Sequence, residues 1–252
     1  MINPALYGKP VAIDVGAHRN FKLGRPMDDW SVAAKLNAIF VAAVEFGDVA
    51  AEYPIVFVNA GTGPDGKQQV APIAVFGLSN EENLYVADGK WRARYQPAML
   101  RAYPFGIARA DADRAVVVID EAWPGWSQTE GQALFGDDGK PTPYLATLRD
   151  QLEKIEIEVQ RTRFFGQALV DAGLLVGMRF DATLPDGTKL GVDGFLTVDE
   201  KKLNELPDDK VLEMHRNGVL ALIHAHQMSL RHMRELVALR VARTAPAPTA
   251  TA

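Results

Sequence analysis

Residues Trp91–Phe105 read W-R-A-R-Y-Q-P-A-M-L-R-A-Y-P-F. The stretch places four aromatics, two prolines and three arginines in fifteen residues of a chain that is only 8% aromatic. Tyr95 stands two residues before Pro97 and Tyr103 directly before Pro104, and a ring-locked backbone narrows the directions each tyrosine can take. Arg92, Arg94 and Arg101 add planar, always-charged donors that stack on rings or grip carboxylates. Pro97–Arg101 suits one helical turn with proline at its first position. Such a segment is either a rigid buried connection or the floor of a binding site.

Upstream lie β-type runs. Val11–Val15 suits a short strand, and Met27–Ala51 suggests a helix, with Asp28 and Asp29 as N-terminal caps and a small-residue stripe of Leu36, Phe40, Ala43 and Gly47. Tyr53–Asn59 and Ala71–Leu78 read as strands joined through the turn residues Gly63-Pro64-Asp65-Gly66, an antiparallel pair. Leu84–Ala87 then turns at Asp88-Gly89 toward Trp91. Downstream, Ala115–Asp120 (A-V-V-V-I-D) is a buried strand, and Glu121–Gly139 is loop-rich.

After residue 140 the character changes. Thr142-Pro143 supplies an N-cap and a first-turn proline, and Leu145, Leu148, Leu152, Ile155, Val159 and Leu169 keep a helical period. That helix is expected to reach Ala172, roughly 45 Å at about 1.5 Å per residue. Leu174–Thr183 and Lys189–Val198 flank Leu184-Pro185-Asp186-Gly187-Thr188, a hairpin. A short helix at Asp199–Leu206 and a second long helix over 208–242 follow, and the tail 243–252 reads as disordered. The expected class is α+β: a mixed, largely antiparallel sheet with one N-terminal helix and two long C-terminal helices. Residues 1–242 read as one composite domain, with a subdivision near 135–142 as the alternative.

Bulk composition excludes several functions. The chain has no cysteine, which removes disulfides, thiolate catalysis and thiolate metal sites. A net charge of −5 without a basic run argues against nucleic-acid and anionic-membrane binding. The N-terminus lacks a leader pattern, and no apolar run approaches the ~20 residues of a membrane span, so a cytoplasmic location is expected. Surface association would need a non-classical export route.

Four of the five histidines lie in the last helical region: His215, His224, His226 and His232. None forms an i, i+3 or i, i+4 metal pair, so no metal is assigned. His226 falls on the apolar stripe and is expected as a hydrogen-bonded core histidine. Ser229 is within steric reach of it, without the further groups that activate a nucleophile. Asp120 and Glu121 end a strand but point to opposite faces. Glu45 lies off its stripe and is expected on the exposed side of its helix, with pairing to Arg101 as the alternative. No glycine-rich phosphate loop precedes a helix, and no cofactor is expected. The best site candidates are Trp91, Arg94, Tyr95, Arg101, Tyr103 and Phe105, joined by His226 and Ser229.

The chain resembles the bacterial SapC family. The resemblance is carried by Glu45-Phe46, Tyr53-Pro54-Ile55-Val56-Phe57, Gly77-Leu78, Asn83-Leu84 and Trp91. Tyr95-x-Pro97-Ala98-x-Leu100-Arg101-x-Tyr103-Pro104-Phe105 is its most specific part. Ile119-Asp120-Glu121, Leu134-Phe135, Gly173-Leu174-Leu175, Val198-Asp199-Glu200, Gly218 and His224-Ala225-His226-x-x-Ser229-Leu230 extend it. The resemblance implies association with a paracrystalline surface layer and supplies no assigned catalytic residues. Relatives encoded near outer-membrane receptors and halogenase-like proteins imply an alternative, an enzyme or enzyme accessory using an Arg/aromatic/His pocket. The leading expectation is a non-enzymatic protein that binds a peptide or protein partner.

Overall fold

The computed structural model of the protein describes residues 2–24, 28–63, 66–109 and 115–244. Strand β1 (Pro10–Ala12), the helical turn α1 (Val15–His18) and β2 (Lys22–Leu23) open the chain. The expected helix over 27–51 is not continuous. A 3-10 turn at Trp30–Ala33, capped by Asp29, leads to strand β3 (Ala38–Phe40). A second 3-10 turn at Ala43–Glu45 and the helical turn α2 (Phe46–Val49) follow. Tertiary pairing overrides local propensity here: Ala38, Ile39 and Phe40 align antiparallel with Val75, Ala74 and Ile73. The Asn37 carbonyl, where a helix would continue, instead accepts from Phe76 N at 2.7 Å.

Strands β4 (Ile55–Thr62) and β5 (Gln68–Val75) form the expected antiparallel pair. The hairpin β6 (Val86–Ala87) and β7 (Lys90–Trp91) turns through Gly89 at φ 69°, a conformation glycine adopts without steric cost. One helical turn α3 (Ala98–Arg101) separates it from β8 (Phe105–Arg109) and β9 (Ala115–Asp120). Two short strands, β10 (Trp126–Ser127) and β11 (Gln132–Ala133), flank β2.

Helix α4 (Pro143–Asp171) begins as read, with Thr142 Oγ1 accepting from Leu145 N and Pro143 at the first position. The hairpin β12 (Leu175–Thr183) and β13 (Lys189–Val198) follows, then α5 (Glu200–Asn204). The second long helix is divided into α6 (Asp208–Arg216), α7 (Val219–Ser229) and α8 (His232–Thr244). Asn217-Gly218 makes the first break, with Gly218 in the left-handed region at φ 82°. Of the tail expected to be disordered, residues 245–252 lie outside the described residues.

The principal sheet runs β12-β13-β4-β5-β3, antiparallel at every pairing, and a three-stranded sheet runs β1-β9-β8. The class is α+β, as read. Each sheet owns a core, and α4 lies across both. Its Leu145 and Leu152 join Phe105, Ile107, Val117 and Ile119, while its Phe165 and Leu169 join Phe46, Ile55 and Phe57. Gly166 sets the close approach to the large sheet, because a Cβ there would stand 2.8 Å from the Val70 carbonyl oxygen.

Candidate functional site

Three buried or nearly buried carboxylates pin the segment Trp91–Phe105 from within. Glu45 is buried, correcting its expected exposure, and its partners are the Tyr95 hydroxyl and two backbone amides rather than Arg101. Its Oε1 accepts from Tyr95 Oη at 2.8 Å and Ala98 N at 2.6 Å, and its Oε2 accepts from Ala42 N at 3.0 Å. The Ala98 bond serves an orphan amide at the start of α3. Glu52 accepts from Arg94 N at 2.8 Å, Tyr95 N at 3.0 Å and Arg94 Nε at 3.0 Å. Asp120 accepts from Gly8 N at 2.9 Å, Lys9 N at 2.7 Å, Ala122 N at 3.1 Å and Tyr103 Oη at 2.9 Å. An ionised carboxylate taken out of water is tolerated when several donors meet it.

The aromatic side chains of the segment point inward. Trp91 stands 5.1 Å from Phe76 and stacks against Tyr85 at 6.2 Å, and its Nε1 donates to Tyr53 Oη at 3.1 Å. Tyr53 Oη donates in turn to the Tyr95 carbonyl. Tyr103 is buried edge-on against Tyr7 at 5.3 Å, and Tyr7 Oη donates to the Phe105 carbonyl at 2.7 Å. Burial, then the Asp120 carboxylate, pushes the Tyr103 phenol well above its usual range. Phe105 is buried against Trp126 at 5.5 Å. The Tyr103-Pro104 bond is cis.

The arginines point outward. Arg92, Arg94 and Arg101 are all exposed. Arg94 leaves 96% of its side chain in water while pairing Glu52 through Nε, Arg92 reaches Asp88 at 3.3 Å, and Arg101 lies 5.4 Å over the Tyr95 ring. Between the segment and α8 runs a groove of about 520 Å³. Leu84, Tyr85, Ala93 and Leu239 form its apolar walls, and Arg92, Arg94, Glu52 and Glu235 its charged margins.

His226 and Ser229 stand apart from these groups, fastening α7 to the start of β4. His226 Nδ1 lies 2.7 Å from the Ile55 carbonyl, which can only accept, so this nitrogen carries the proton. Its Nε2 accepts from Val198 N at 3.2 Å and meets Thr197 Oγ1 at 2.9 Å. Ser229 Oγ accepts from Ile55 N at 2.8 Å and donates to the His226 carbonyl at 2.6 Å. Both backbone groups of Ile55 are thereby satisfied by side chains of α7. Burial holds the imidazole neutral and lowers its pKa to about 4. The sequence reading missed Glu52, whose partner lies 42 residues away, and Glu235. Neither carries a local signal.

Among the described residues, no group of three or more His, Asp or Glu side chains is placed to hold a metal ion. No helix among them is long and apolar enough to cross a membrane. The fold and the segment together define an α+β protein in which carboxylates fix an aromatic floor and leave guanidinium groups at the surface. The SapC family model matches residues 13–236, most of the chain, so the protein belongs to the SapC family. No curated protein and no solved structure matches it.

Proposed function

We propose that the protein binds a peptide or protein partner through the outer surface of Trp91–Arg101, with Arg92, Arg94 and Arg101 as the recognition groups. The supporting observation is the division of the segment. Its rings and backbone are tied down by Glu45, Glu52 and Asp120, while its three guanidinium groups face solvent, those of Arg92 and Arg94 at the margin of a groove with apolar walls and that of Arg101 over the Tyr95 ring. Donors held on a fixed backbone lose little freedom when they bind, so more of the interaction appears as affinity. A partner presenting carboxylates beside apolar side chains fits the charges and the groove. The surface-layer association suggested by the family name supplies one class of such partner.

We read residues 1–242 as one composite unit, because α4 packs on both cores. The alternative, an enzyme or enzyme accessory acting in a shared Arg/aromatic/His pocket, gains no support from His226. That side chain is sealed against Ile55, Thr197 and Val198, whereas Arg101 lies at the surface.

The test is affinity capture from the source cells with the wild type and an R92A/R94A/R101A variant, followed by direct binding to the recovered partner. Circular dichroism verifies that the variant is folded. The expected result is a partner bound by the wild type, weakened at least about tenfold in the variant and weakened by salt. Equal binding by the folded variant refutes the site.

A further inference from the structure

Helix α4 leaves two large apolar side chains in water. Ile157 is 52% exposed and Phe164 77% exposed. Seven residues make close to two helical turns, so the two side chains share one stripe. That stripe lies opposite the buried stripe of Leu152, Val159, Thr162, Phe165 and Leu169. An exposed apolar stripe on a long helix marks an interaction surface.

The charges on this face identify what covers it. Asp150, Glu153 and Lys154 precede Ile157, Arg161 follows it, and all four are exposed, with the acidic pair nearer the start of the helix. An antiparallel copy of the same helix reverses that order, so the face is complementary to itself in sign. The spacing also matches. The spans Asp150–Arg161 and Ala146–Phe164 share a midpoint close to Ile155, so one two-fold axis serves both contacts. A two-fold axis level with Ile155 and Glu156 sets Arg161 of each copy against Asp150 of the other, with Glu153 one turn away. It also sets Phe164 of each copy beside Ala146 of the other, at the mouth of a cavity of about 630 Å³. Ile13, Ile107, Val117 and Leu145 give that cavity apolar walls, and Ala146 and Asp150 lie on its helical margin. The bonds that Glu153 and Arg161 now make, to Arg149 at 2.9 Å and Glu158 at 2.6 Å, are exposed pairs along the helix, which cost little to rearrange.

We propose that α4 forms the interface of an antiparallel homodimer, in which Phe164 of each copy enters the apolar cavity beside α4 of the other. The site is distinct from the partner surface at Trp91–Arg101 and does not depend on it.

Sedimentation equilibrium of the full chain, from about 1 to about 100 μM, tests the proposal. The wild type is expected to dimerise. F164A is expected to raise the dissociation constant more than about tenfold, and R161E to do the same by facing two carboxylates. D150R and E153R added to R161E are expected to restore the dimer. Because these positions are exposed, each variant should keep the wild-type circular dichroism, and at concentrations where the wild type is itself monomeric it should keep the wild-type thermal midpoint. A monomeric wild type throughout this range would overturn the proposal and leave a different protein or an amphiphile as the cover. A dimer indifferent to F164A, or one that the charge reversal does not restore, would overturn it equally.

Discussion

Replacing His226 with glutamine should change how the protein responds to acid. The folded protein holds this imidazole neutral with its pKa lowered to about 4 by burial, whereas in the unfolded chain it returns to about 6.5. Between these values the unfolded state binds the proton and the folded state does not, so stability falls as pH falls. The contribution is intact above about pH 6.5, erodes through the interval, and is fully lost near pH 4. The interval between about 4 and about 6.5, at about 1.4 kcal/mol per pH unit, gives about 3.5 kcal/mol. Carboxylates titrate over part of the same range, so the wild type alone does not isolate the term. The difference between wild type and H226Q does, because glutamine does not titrate. Urea unfolding of both proteins at pH 7, 6, 5 and about 4.5, followed by circular dichroism, measures it. At pH 7 the variant should be the less stable, since three hydrogen bonds around Ile55, Thr197 and Val198 are disturbed. Its deficit should shrink steadily as the pH falls. Parallel stability–pH curves for the two proteins would refute the assignment of a buried neutral histidine.

Four further outcomes follow from the same geometry. S229A leaves the buried Ile55 N–H without its acceptor, so it should lose about 1–3 kcal/mol in urea unfolding, with partner binding unchanged. E45A removes the acceptor shared by Tyr95 Oη, Ala98 N and Ala42 N. It should destabilise by about 2–4 kcal/mol and speed amide exchange first at Ala98. D120N keeps one acceptor oxygen where two now serve four donors, so Gly8–Lys9 should become the early site of proteolysis. R94A, at an exposed pair, should stay within about 0.5 kcal/mol of the wild type in stability while losing partner affinity.

How much of this was legible depends on how far apart the deciding groups lie in sequence. Helix α4 was readable because its cap and its period are local: Thr142 caps Leu145 and Pro143 opens the turn. The β12–β13 hairpin was equally local, its turn closed by Leu184 N on the Thr188 carbonyl. Residues 28–51 were not readable, because their stripe of Leu36, Phe40, Ala43 and Gly47 satisfies a helix and yields only to a strand partner at Ile73–Val75. The division of the last helix had a signal in Asn217-Gly218, overridden by apolar periodicity continuing on both sides of it.

The segment Trp91–Phe105 shows the same limit and turns it into an argument. Its composition announces rings and cations but not which of them face water, because that choice belongs to carboxylates outside the stretch. Glu45, Glu52 and Asp120 take backbone amides and tyrosine hydroxyls, and only Arg94 Nε among the segment's guanidinium groups is bonded by one of the three. Had these acids paired mainly with arginines, the segment would be a closed internal tie. Because they hold the backbone instead, the chain supplies the negative charge that fixes the floor and leaves most of the positive charge at the surface. The structural role of the rings and the binding role proposed for the arginines therefore rest on one arrangement. The E45A and R94A variants separate them: the first should loosen the floor, the second should weaken only the partner.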